Sequence, residues 1–140
     1  MPFLLATVTL SELRKKSKAA APVIAWQDSA AGQKAQVSVM TVNEIRFGTR
    51  RAAARDPVFA RRLERWYGEI LAAPQLDAIL PVSLAIAEQA ADFRHAHGTS
   101  VHDSLIAATA KIHGLTLATR NLADFEPTGI DLLNPWNYRG

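Results

Sequence analysis

Residues 99–114, Thr99-Ser100-Val101-His102-Asp103-Ser104-Leu105-Ile106-Ala107-Ala108-Thr109-Ala110-Lys111-Ile112-His113-Gly114, restrict the fold more than any other stretch. Ser100 suits a helix N-cap, and Gly114 suits the left-handed residue that ends a helix. Between them Leu105, Ile106, Ala107, Ala108, Ala110 and Ile112 cover most of the cylinder, which predicts a helix buried between layers rather than lying on a surface. Helical spacing puts Asp103 on the side of Ile106, Ala107 and Ala110. A carboxylate there needs a cation, a cluster of donors or a raised pKa. The plainer account is a first-turn acid favoured by the helix dipole.

A chain of 140 residues is enough for one domain with its own core, and residues 1–140 are read as a single domain. With 49% apolar and 21% charged residues the composition is that of a globular protein. No cysteine is present, which removes disulfides and thiolate chemistry. No basic leader and no apolar run of membrane-spanning length is found, so a cytoplasmic location without membrane association is expected. The net charge of +3 is clustered, in Arg14-Lys15-Lys16-Ser17-Lys18, between Arg46 and Arg55, and in Arg61-Arg62-Leu63-Glu64-Arg65. Such clusters suit a polyanion, although a solvated helix face explains them equally simply.

The remaining elements alternate. Phe3-Leu4-Leu5, ending at Ala6-Thr7, reads as a central strand, and residues 11–16 as a short polar helix. Pro22 opens a helix through Gln27, and residues 36–40 form a valine-rich second strand. Thr41 followed by Glu44 has the spacing of a capping box for the next helix. Asp56-Pro57 restarts an amphipathic helix to about Ala72, whose Phe59, Leu63, Trp66 and Ile70 exceed what a small monomer needs outside its core. Residues 78–82 give a third strand, 84–97 a helix, 115–118 a fourth strand and 129–133 a fifth, closed by Asn134-Pro135-Trp136. Strands separated by helices predict an α/β fold with a mostly parallel sheet covered on both faces.

Ligands of open parallel sheets bind beyond the carboxyl ends of the strands. Glu44 follows the second strand, Asn121 and Asp124 follow the fourth, and Asp103 opens the helix leading into the fourth. Four oxygen-bearing side chains at one edge suit Mg²⁺ or Mn²⁺ rather than zinc. Taken singly each has a duller role: a capping box, a first-turn charge, an N-cap and a solvated loop. His95 and His97 diverge on their helix, His113 sits at a helix C-terminus, and His102 adjoins Asp103 within reach of a substrate. No P-loop, GxGxxG, HExxH, GxSxG or CxxC pattern occurs.

Four segments together resemble a known family: Thr41-Val42-Asn43-Glu44-Ile45-Arg46-Phe47-Gly48, His102-Asp103-Ser104-Leu105-Ile106-Ala107-Ala108-Thr109-Ala110, Leu117-Ala118-Thr119-Arg120-Asn121-Leu122-Ala123-Asp124-Phe125 and Leu133-Asn134-Pro135-Trp136. In this order they resemble the PIN-domain ribonucleases, specifically the VapC toxins of type II toxin–antitoxin pairs and their FitB-like branch. The resemblance implies a PIN-like α/β/α sandwich around a parallel sheet of about five strands. It also implies an endoribonuclease that hydrolyses RNA phosphodiesters at a Mg²⁺ or Mn²⁺ site of three or four acids. Glu44 and Asp103 match the second and third acids, Asn121 the fourth, with Asp124 close behind.

The first acid of that family ends strand one, in a segment that usually reads Leu-Leu-Asp-Thr; here it reads Leu4-Leu5-Ala6-Thr7. Ala6 removes one ligand and one negative charge, so the resemblance implies an impaired enzyme, whether a natural inactive copy or a deliberate change. Thr7 would donate a hydrogen bond to phosphate or water, and Arg46, Arg50 and Arg120 would hold the RNA backbone. The partners implied are a VapB-type antitoxin with a DNA-binding domain, a second copy in a homodimer, and RNA. The alternatives are a catalytically dead PIN-like binding module and a DNA-directed nuclease.

Overall fold

The computed structural model describes residues 2–29, 34–72 and 76–140, with the backbone but not the side chains of 76–78. Five strands form one parallel sheet in the order β3-β2-β1-β4-β5. They are β1 (Phe3–Leu5), β2 (Ala35–Ser38), β3 (Leu76–Leu80), β4 (Thr116–Ala118) and β5 (Leu132–Leu133). The helices among the described residues are α1 (Thr7–Leu13), α2 (Ala21–Asp28), α3 (Val39–Ala53), α4 (Pro57–Leu71), α5 (Leu84–His97), α6 (Val101–His113) and α7 (Leu122–Phe125). This is the expected α/β/α sandwich.

β1 is central and buried throughout, and its alternation divides the core in two. Leu4 faces Ile86, Phe93, Ile106, Ala107 and Leu117, the core under α5 and α6. Phe3 and Leu5 face Trp26, Val37, Ile45 and Ile70, the core under α2, α3 and α4. Phe3 and Trp26 meet edge to face, with ring centroids 5.3 Å apart.

α6 is the buried helix expected. Ser100 Oγ accepts from the Asp103 N–H at 3.1 Å, and Gly114 turns left-handed at φ 64° to end it. Ser104 and Ile106 through Ala110 are buried, but Val101 and Ile112 are exposed, so the covered arc is narrower than its apolar residues suggested.

Local starts differ from expectation at several points. The first helix begins at Thr7 instead of Ser11, because the Thr9 and Leu10 N–H groups already donate to the Ala6 carbonyl. Ser38, not Thr41, caps α3, accepting from the Met40 N–H at 3.0 Å. Thr41 is a buried first-turn residue, so Glu44 is no capping-box partner. β5 is only Leu132–Leu133, since Gly129, at φ 73°, ends the short 3₁₀ turn Glu126–Thr128. The apolar face of α4 divides: Ile70 is buried and Trp66 and Tyr67 pack against the same core, while Phe59 and Leu63 stay partly exposed. No helix among the described residues is long and apolar enough to cross a membrane.

Candidate metal and nucleic-acid site

All five strands run parallel, so their carboxyl ends share one edge of the sheet. Ala6 follows β1, Glu44 lies in the second turn of α3 beyond β2, and Asn121 and Asp124 follow β4. Asp103 enters the same neighbourhood from the first turn of α6. The side chains report this proximity through their charges. Burial raises the pKa of Glu44 above its ordinary value, and the charge of Asp103 raises it further. Burial also raises that of Asp103, with Asp124 adding repulsion.

His102 opposes both shifts, as do a hydrogen bond with Thr7 at Glu44 and one with Ser100 at Asp103. The Thr7 hydroxyl also pairs with the buried Thr41 hydroxyl, Oγ1 to Oγ1 at 3.0 Å. Thr41, read from sequence as a cap, is thus part of this cluster's support; a β-branched hydroxyl buried in a helix's first turn was the signal available. Among the described residues the buried Nε2 of the half-buried His102 has no hydrogen-bond partner.

Three carboxylates are therefore coupled in sequence, Glu44 to Asp103 to Asp124. Yet among the described residues no three acidic, histidine or cysteine side chains gather closely enough to hold a metal ion. Sheet order supplies a reason: β1 lies between β2 and β4, so Ala6 stands between the strand ends that lead to Glu44 and to Asp124. Its methyl group offers no oxygen there. Ala6 is 4% exposed and sits at the N-cap of α1 without a side-chain cap. Asn121 holds the N-cap position of α7, but its side chain makes no capping bond; its backbone N–H donates to Thr119 Oγ1 at 3.1 Å.

The three arginines part company. Arg46 is committed to Glu64, with Nη1 at 3.2 and 3.4 Å from the two carboxylate oxygens, and lies 5.4 Å from the Tyr67 ring centre. Arg50 sits in the last turn of α3, about 9 Å along the axis from Glu44 at 1.5 Å per residue. Arg120 is exposed beyond β4 and stacks over Trp136 at 4.9 Å.

Residues 5–126 match the PIN domain model. The chain is 38% identical to VapC ribonuclease Y4jK of Sinorhizobium fredii over 93% of its own length and 94% of that protein's. It is 34% identical to Toxin FitB of Neisseria gonorrhoeae over 82% and 85% of the two chains. A solved structure of FitAB bound to the IR36 DNA fragment superposes with a TM-score of 0.74 at 31% identity, covering 100% of this chain and 99% of that one. A match over most of its length, on a sheet of the same architecture, means that the chain belongs to the PIN-domain family, alongside relatives that include VapC and FitB toxins.

Proposed function

We propose that this protein is the toxin of a type II toxin–antitoxin pair, built as a Mg²⁺- or Mn²⁺-dependent endoribonuclease and impaired by Ala6. The observation that carries the reading is the pair of half-buried carboxylates, Glu44 and Asp103, each with a raised pKa. Among the described residues neither is ion-paired with a lysine or arginine. Charges buried at this cost without a cation are a feature of functional sites.

The donor set fits a hard divalent ion held by two carboxylates and otherwise by water, which is how Mg²⁺ is commonly bound. It does not fit a three-carboxylate cage. Glu44 and Asp103 would hold the ion, which when bound supplies polarisation of the scissile phosphate and a more acidic water. The Thr7 hydroxyl, itself steadied by Thr41, keeps the Glu44 carboxylate oriented. Asn121 or Asp124 would orient the nucleophile from the end of β4. Arg46, Arg50 and Arg120 would contact the RNA backbone, Arg46 from an exposed, solvent-screened pair with Glu64.

The partner is a VapB- or FitA-type antitoxin carrying a DNA-binding domain, with the toxin acting as a homodimer in the cytoplasm. A cavity of about 370 Å³, beneath α1, α2 and α4, is the place for the antitoxin's segment. Arg14, Lys16, Trp26 and Trp66 line it.

Ala6 favours a second reading, a PIN-like module that binds RNA or antitoxin without chemistry. Restoring the carboxylate separates the two. Ala6→Asp should raise Mn²⁺-dependent cleavage of single-stranded RNA by at least about 100-fold, since ion-assisted catalysis supplies several kcal/mol. A folded Ala6→Asp protein with no metal-dependent cleavage would establish the module instead.

A further inference from the structure

The stacked pair Arg120 and Trp136 is used by neither the acids nor the core, and its construction is unusually firm. Ala118 and Leu133 are register partners in β4 and β5, so Arg120 and Trp136 leave adjacent strand ends, two and three residues on. The Thr119 N–H donates to the Leu133 carbonyl at 2.9 Å, tying the two exits together. Asn134 Oδ1 accepts from the Trp136 N–H at 3.0 Å, and Pro135 beside it is buried. The 3₁₀ turn Pro135–Asn137 rests against α2. The indole is thus a fixed surface.

Arg120 lies over that surface with its guanidinium carbon 4.9 Å from the ring centre, and it is exposed. Among the described residues it forms no ion pair. The carboxylate of Glu12 is occupied, accepting from Lys15 Nζ at 2.9 Å and from the Ala20 N–H at 2.8 Å. A guanidinium this close to an indole, within electrostatic reach of Glu12 but not ion-paired with it, leaves an exposed planar cation at the strand end. Arg120 directly precedes Asn121, so this cation belongs to the same sheet edge as the acids. Unpaired RNA bases stack on such guanidinium and aromatic planes, whereas bases inside a duplex are unavailable to them.

We propose that Arg120 over Trp136 is a stacking platform for one unpaired base of the RNA, on the same sheet edge as Glu44 and Asp103, which would hold the ion that meets its phosphate. The proposal rests on the ribonuclease reading and deepens it: the substrate class is single-stranded RNA, and its recognition includes a base face. A purely structural cation–π contact would stabilise the turn without any dependence on bases.

The test compares two strands of equal length and charge, a nine-residue oligouridylate and its abasic ribose-phosphate counterpart. Binding to the Ala6 chain is measured by fluorescence anisotropy in chelator. The bases should strengthen binding about tenfold in the parent, the gain expected from one stacked base. That gain should fall to twofold or less in Trp136→Ala and in Arg120→Ala, and persist in Trp136→Phe, which keeps an aromatic plane. Circular dichroism identifies the folded variants, and Arg120→Ala on the exposed surface keeps the test open if Trp136→Ala does not fold. A base-dependent gain undiminished in folded Arg120→Ala, or absent in the parent, overturns the platform. Cleavage by Ala6→Asp is scored separately, so a failed platform on an active nuclease is distinguished from failure of the ribonuclease reading itself.

Discussion

Glu44 shows how one side chain can serve a site at the expense of the fold. Its pKa and that of Asp103 lie above their unfolded values, chiefly through burial. A raised carboxylate favours the folded state fully below the ordinary carboxylate range and loses that contribution as pH rises through its folded value. Burial therefore makes the charged form of each acid costlier in the folded state, though half-exposure and solvent screening keep that cost small. Glu44→Gln should raise the Tm at pH 7 by about 1–2 °C, and the gain should vanish near pH 4; thermal melts at the two pH values check this. At position 6 two effects oppose one another. An aspartate at this N-cap would gain a capping bond worth about 1 kcal/mol, against repulsion from Glu44 and Asp103. The decisive readout is metal: Mn²⁺ should raise the Tm of Ala6→Asp clearly more than that of the parent, because binding stabilises by mass action. Equal shifts in both would remove position 6 from the site.

At the scale of elements, the helix starts at the carboxyl edge of the sheet hold the site in place. α3 carries Glu44, and its first turn depends on Ser38, which is fully buried and accepts from the Met40 N–H. Ser38→Ala should cost about 1 kcal/mol, lowering the Tm by roughly 2–4 °C, as read by thermal denaturation. α6 carries Asp103 and is packed on small residues, with Ala107, Ala108 and Ala110 all at 0% exposure. Ala107→Leu inserts three carbons where no space exists and should destabilise by about 1–3 kcal/mol or more. Denaturant unfolding would measure it. The capping serine and the terminal glycine of α6 were both legible in sequence, because caps are made by residues within a few positions of each other. The α3 cap was missed because two hydroxyl residues, Ser38 and Thr41, satisfied the local pattern, and only the length of β2 selects between them.

At the scale of the whole molecule, two features offer themselves to partners. The acids and the Arg120–Trp136 stack occupy the carboxyl edge of the sheet, while the 370 Å³ cavity opens under α1, α2 and α4. Filling that cavity should affect the partner and spare the fold. Ser17 lines the cavity yet is exposed, so Ser17→Trp should weaken binding of the antitoxin from the neighbouring gene by more than about tenfold. Its Tm should stay near that of the parent; calorimetric titration and a melt measure the two effects. Unchanged affinity would place the antitoxin elsewhere.

The order of strands and helices, the central position of β1, the buried α6 and the approach of Glu44, Asp103 and Asp124 to one edge were all readable from residue patterns. Periodicity, capping residues and the parallel-sheet rule act over short stretches or follow from topology alone. The partners of the charged groups were not readable. Arg46 reaches Glu64, 18 residues away, and Arg120 reaches Trp136. Only the C-terminal part of the amphipathic face of α4, at Trp66, Tyr67 and Ile70, joins the core that holds Phe3, Leu5 and Trp26. Each depends on how elements distant in the chain are laid side by side, and long side chains reach whatever packing brings within range. The same dependence sets Ala6, with its methyl group, between the strand ends that lead to Glu44 and to Asp124.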